Sequence, residues 1–97
     1  MTAYIVAIVR VLDPERFKLY GAQLGDLSTR HGGEPLVRGQ VAEFLEGNGP
    51  AGERVVVTRF PDAEAARGNI KSAEYQAASA LRAGAADVVM RLVRVGA

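Results

Sequence analysis

Three stretches of this chain have the composition of β-strands but do not alternate as a half-exposed strand should: AYIVAIVRVL from Ala3 to Leu12, RVVVTRF from Arg54 to Phe60, and DVVMRLVRV from Asp87 to Val95. The first is rich in Ile and Val, the other two in Val, and each is too short for a stable helix. Successive side chains of a strand point to opposite faces. In the first stretch Tyr4, Val6 and Ile8 therefore fall on one side, and Ile5, Ala7, Val9 and Val11 on the other. Val55 and Val57 oppose Val56 and Phe60 in the second, and Val88, Met90 and Leu92 oppose Val89, Val93 and Val95 in the third. An antiparallel sheet with one wetted face would show polar residues on that face. Here both faces demand cover.

The helical segments can supply only one layer of it. Asp13-Pro14-Glu15 gives an N-cap, a proline suited to the first helical position and a first-turn carboxylate. Phe17, Tyr20, Leu24 and Leu27 then recur at steps of three and four, which predicts one helix running to Gly32-Gly33, where glycine accepts the left-handed conformation after a last turn. A second strand is predicted over Pro35 to Glu46, with Gly39 marking a bulge, and GNGPAGE turns the chain into RVVVTRF. Pro61-Asp62 starts a short helix, Ser72 caps another running to about Arg82, and Gly84 stops it before the last strand. Strand, helix, strand, strand, helix pair, strand predicts an α+β domain spanning residues 1–97. Its form is a ferredoxin-like four-stranded antiparallel sheet with helices on one face.

The other face then needs a cover from outside the chain, and the sheet of an identical subunit is the simplest source; the alternative is a monomer with a greasy sheet. Arg59 and Arg91 interrupt the apolar faces and are expected at the rim of such a contact, or paired with carboxylates such as Glu43. Twelve Lys+Arg against eleven Asp+Glu leave a formal charge of +1, no footprint for nucleic acid or an anionic membrane. No segment approaches the ~20 apolar residues of a membrane span. The opening run lacks a basic flank and is interrupted by Arg10, unlike a signal peptide. With no cysteine, disulfides and thiolate chemistry are excluded, and a cytoplasmic protein is expected.

Few residues carry chemistry. His31 is the only histidine, and so the only side chain whose ordinary pKa lies near neutrality. Two uses are open to it: general acid–base catalysis, or a cap on the last helical turn, where an imidazolium favours the helix dipole. Arg38 could bring a cation to a substrate oxyanion or pair with Glu43 or Glu46. Tyr75 and Arg82, seven residues apart, share one helix face. They could offer a phenol and a cation to a cavity, or Tyr75 could sit in the core while Arg82 extends outward. Tyr20 lies on the first helix stripe, as core or as a substrate contact. One histidine, no cysteine and scattered carboxylates give no metal site, and no cofactor is expected.

Taken in order, AYIVAIVRVLDPE, HGG followed by LVRG, EFLEG, RVVVTRFP and SAEYQAASALR resemble the domain-of-unknown-function 1330 family of the dimeric α/β-barrel superfamily. The resemblance implies a ferredoxin-like subunit and a sheet-on-sheet homodimer, and brings no established activity. The wider superfamily implies cofactor-independent isomerase or oxygenase chemistry on a small carbonyl or phenolic compound, by analogy of fold. His31 would then move a proton, Arg38 would hold an oxyanion, and Tyr75, Arg82 and Tyr20 would bind substrate. The other expectation is a non-catalytic homodimer that binds a small molecule or serves as an assembly module. Where relatives often carry RGG this chain has Arg38-Gly39-Gln40, and Asn69-Ile70 stands in place of an aromatic pair.

Overall fold

The computed structural model describes residues 2–96. The chain runs β1 (Thr2–Val11), α1 (Pro14–Leu24), α2 (Leu27–Arg30), β2 (Glu34–Gln40), β3 (Arg54–Phe60), α3 (Ala63–Lys71), α4 (Ala73–Leu81) and β4 (Ala86–Val95). The strands form one antiparallel sheet in the order β2-β3-β1-β4. The helices cover one face of it. This is the ferredoxin-like α+β arrangement.

Capping chemistry sets the helix starts. Asp13 accepts a hydrogen bond from the Arg16 backbone N–H, Asp62 from that of Ala65, and the Ser72 hydroxyl from that of Tyr75. The first helix is shorter than its stripe predicts. Gly25 adopts φ 51° and ends α1, and the chain restarts as the single turn of α2. Leu27 nevertheless stays on the stripe and is among the two most completely buried large side chains, with Phe60.

β2 also differs from expectation. It ends at Gln40 rather than Glu46, and one last bond from Val41 N–H to the Glu53 carbonyl closes the ladder. Its bulge lies at Pro35–Val37, not at Gly39. Proline has no N–H to give the ladder, so pairing slips beside it. Pro35 faces Thr58 but Val37 faces Val57, leaving Leu36 as the extra residue. That slip reverses the facing of everything after it. Arg38 pairs with Val56 on the helix side of the sheet; unbroken register would have turned it to the other side.

On the helix side Ala3, Ile5, Ala7 and Val9 of β1 are buried, and Ile5, Phe60 and Ala66 form the centre of the core. On the opposite side Tyr4, Val6, Ile8, Val55 and Val57 are half-buried, and Val37, Val89, Val93 and Val95 are exposed. Arg59 on that side pairs with Glu34 at 2.8 Å rather than with Glu43.

The double glycine splits into two functions. Gly32 takes φ 86°, while at Gly33 a Cβ would stand 2.7 Å from the Ser28 carbonyl oxygen and 2.9 Å from the Phe60 ring. Gly33→Ala is therefore expected to cost about 1–3 kcal/mol. Gly21→Ala, in a helix interior with nothing within 4 Å of the new methyl, is expected to gain about 0.5–1 kcal/mol. Urea unfolding of the two variants reads the opposite signs.

Candidate functional site

Between the helix side of the sheet and the helices lies a partly open cavity of about 330 Å³. Its floor is Ile5, Ala7 and Val9 of β1 with Val56, Thr58 and Phe60 of β3; Phe17, Tyr20 and Leu24 of α1, Asn69 and Ile70 of α3 and Tyr75 of α4 close it from above. The small Ala7 beneath them leaves space that a larger residue would fill. Polar groups lie at both ends. Arg38 and Arg54 line it from β2 and β3, at one side of the sheet, and the phenols of Tyr20 and Tyr75 meet beside Met90 of β4, at the other.

The phenol end is held by a cation. Arg82 Nη1 donates to the Tyr75 hydroxyl at 2.7 Å and to the Tyr20 hydroxyl at 3.1 Å. Its guanidinium carbon lies 5.1 Å from the centre of the Tyr20 ring and 5.7 Å from that of Tyr75, within cation–π range. Arg82 thus turns inward to the two phenols, correcting the expectation that it extends into solvent. It stands behind the phenols, outside the lining of the cavity. Burial, and then the hydrogen bond and charge of Tyr75, push the Tyr20 phenol above its ordinary pKa, Arg82 opposing. For Arg82 burial acts downward, but Tyr75 and Tyr20 outweigh it and the net shift is upward. The pair therefore consists of a neutral phenol and a firmly charged guanidinium.

The two phenolic protons, by contrast, are poorly used. Tyr75 is 3.5 Å from the Met90 thioether sulfur, a weak acceptor, and the two hydroxyl oxygens are 3.4 Å apart, well beyond the usual O–H···O distance. Both oxygens are fixed, and each proton has only a long or weak acceptor that a carbonyl or phenolate oxygen would displace.

Further ties hold the helices that carry these groups. Arg30 bridges Asp26 at 3.0 Å and Glu74 at 2.9 Å, joining α2 to α4. Arg16 Nη2 donates to the Ala83 carbonyl at 2.8 Å, joining α1 to the turn after α4.

His31 lies elsewhere. Its backbone N–H caps α2 on the Leu27 and Ser28 carbonyls. Its Nδ1 is 3.9 Å from the point a Cβ on Gly68 of α3 would occupy, and the residue does not line the cavity. The structure therefore brings Tyr20, Tyr75 and Arg82 together, sets Arg38 at the far end of the same cavity, and leaves His31 apart. Among the described residues Arg38 has no carboxylate partner.

Two polar lining residues, Asn69 and Arg54, were not among the site residues expected from the sequence. Asn69 is buried, and its Oδ1 has no hydrogen-bond partner. It falls three residues after buried Ala66, a helical spacing that marks it as inward-facing. Arg54 is the first residue of β3, and it shares the face of Val56 and Phe60, as its pairing with Val9 and Gln40 confirms.

The model of the DUF1330 family, a domain of unknown function, matches residues 2–95. The chain belongs to this family. No curated protein matches it. Among solved structures it is similar to a protein of unknown function from Rhodopseudomonas palustris, with TM-score 0.77, 22% identity, and 99% of this chain and 83% of that one covered. It is also similar to a dimeric ferredoxin-like protein of unknown function from Jannaschia sp. (0.75, 15%, 98% and 100%). A third is SnoaB, a cofactor-independent oxygenase from Streptomyces nogalater (0.69, 13%, 99% and 94%). At these identities the likeness is one of fold. No helix among the described residues is long and apolar enough to cross a membrane.

The raised Tyr20 pKa fixes a pH dependence. An unfolded phenol ionises near 10, whereas folded Tyr20 keeps its proton above that value, so its contribution to stability is complete below pH 10 and is lost as the pH rises further. Urea midpoints measured from pH 8 to 11 are expected to fall above pH 10, with a smaller fall in Tyr20→Phe.

Proposed function

We propose that this DUF1330 protein is a homodimer that binds a small carbonyl or phenolic compound in the cavity and acts on it without a cofactor, in the manner of an isomerase or oxygenase. The observation that carries this is the pair of fixed phenols whose protons have only a long or weak acceptor. A carbonyl or phenolate oxygen seated between Tyr20 and Tyr75 receives two O–H donors, and Arg82 behind them supplies the positive charge that a developing oxyanion needs. Donors already held in place need no reorganisation as charge develops. The oxyanion role foreseen for Arg38 thus passes to the phenols, because Arg38 stands at the opposite edge of the cavity, on β2. His31, outside the lining, takes no step. The superfamily likeness to a cofactor-independent oxygenase supports the chemistry by fold alone.

Titration of simple phenols and cyclic ketones, followed by amide chemical shifts, tests the site. Perturbations are expected around Tyr20, Tyr75 and Met90, and Tyr75→Phe is expected to weaken binding about tenfold, the worth of one good hydrogen bond. Binding that is indifferent to both Tyr75→Phe and Tyr20→Phe would sink the assignment.

The free sheet face supports the dimer, as does the likeness to proteins described as dimeric. A contact of ~800 Å² per subunit that is about 60% apolar carries a transfer term of roughly 12 kcal/mol per subunit before association costs. Light scattering is expected to give twice the 10.3 kDa chain mass, and Val6→Lys combined with Val57→Lys to return it to 10.3 kDa with helicity retained. A wild-type particle of single mass at micromolar concentration would contradict it.

A further inference from the structure

Arg38 and Arg54 both face the helix side of the sheet, Arg38 opposite Val56 and Arg54 opposite Gln40. They are therefore diagonal neighbours on adjacent strands, roughly 7 Å apart at Cβ. Among the described residues neither makes an ion pair, whereas Arg30 and Arg59 each find a carboxylate. No Asp, Glu, Lys or His lines the cavity, so every full charge turned toward it is positive. Two adjacent guanidinium groups without a counter-charge repel each other, and an anion bridging them removes that repulsion while making charge-assisted hydrogen bonds. Both residues are exposed, so an anion meets them at the mouth without first crossing an apolar wall.

What lies behind them narrows the anion. The walls are apolar, with Phe17, Phe60 and Met90 among them, which suits a ring and not a bare inorganic ion. An apolar cavity of ~150 Å³ takes benzene; about 330 Å³ takes a ring with a short chain. From β2 to β4 is three strand spacings, about 14 Å between backbones, from which the side chains at each end subtract. At the far end stand the phenol donors, and the lining also holds the unpartnered Oδ1 of Asn69 on α3, itself only 6% exposed. An oxygen on the ring that accepts from a tyrosine answers the phenol end.

We infer that the cavity takes a small aromatic carboxylate, its carboxylate bridging Arg38 and Arg54 and its ring hydroxyl reaching the Tyr20–Tyr75 pair. This names the substrate class of the proposed site and rests on the phenols being its oxygen-binding end. The planar guanidinium favours a carboxylate through paired N–H donors.

Three probes separate the two assignments by calorimetry and amide shifts at low salt: 3-(4-hydroxyphenyl)propionate, its primary amide, and 4-ethylphenol. The acid is expected to bind at least about tenfold more tightly than the amide. The double variant Arg38→Gln/Arg54→Gln should erase that preference, the acid losing about tenfold or more beyond any loss by the amide. Equal affinity for acid and amide in the wild-type protein, a comparison that needs no variant, would overturn the inference, as would a preference that survives in the double variant. If 4-ethylphenol binds in a manner sensitive to Tyr75→Phe while the acid gains nothing over the amide, only the carboxylate assignment falls. If 4-ethylphenol ignores both Tyr75→Phe and Tyr20→Phe, or no probe shifts the cavity residues at millimolar concentration, the phenol site falls and the carboxylate assignment with it.

Discussion

Strand β1 is hydrogen-bonded along both edges, to β3 and to β4, and so cannot leave the middle of the sheet. Whatever its two faces carry must be covered from above and from below. Above, the helices bury Ala3, Ile5, Ala7 and Val9, a row of alternating small and large residues. The large ones anchor the core with Phe60; the small Ala7 leaves a hollow beneath α1 and α4. Below, Tyr4, Val6 and Ile8 join Val55, Val57, Val89 and Val93 in an apolar surface that this chain does not cover. The cavity and the proposed dimer contact are thus two consequences of one strand.

The hollow acquires its chemistry from what stands at its ends. A guanidinium beneath two aromatic rings, bonded to both hydroxyls, fixes the phenols without using their protons. Arg82 is charged and partly buried with no carboxylate beside it, an arrangement that costs desolvation and is offset by the rings and the phenol oxygens. Such a cation also favours an anionic oxygen arriving in front of the phenols. Arg38 and Arg54 at the opposite edge repeat the preference for negative charge, and the rest of the lining is mostly apolar wall with one unpartnered amide oxygen.

The site was only partly legible. Tyr20 lies on a helix stripe and Tyr75 shares a face with Arg82, so these could be grouped from spacing alone. That Arg82 turns inward could not, because a long side chain near a helix end reaches solvent or core with equal ease, and the partner that decides it, Tyr20, lies 62 residues away. His31 drew notice for its pKa, yet an ordinary pKa carries no position; the turn at Gly32 and the space over Gly68 direct it away from the cavity. Asn69 carried a usable signal, its helical spacing from Ala66, although an asparagine is more readily taken for a helix end.

By itself the sequence determined the order of elements, the antiparallel sheet and the apolar residues on both of its faces. These follow from local periodicity, caps and β-branched composition, which act over a few residues at a time. Tertiary structure decided the facing of Arg38 and the meeting of the phenols. A proline without an N–H shifted the β2 register by one residue, and a one-residue slip exchanges the two faces of a strand. Only pairing against β3 fixes where that slip is taken up, and only packing of α1 on α4 brings Tyr20 and Tyr75 under one guanidinium.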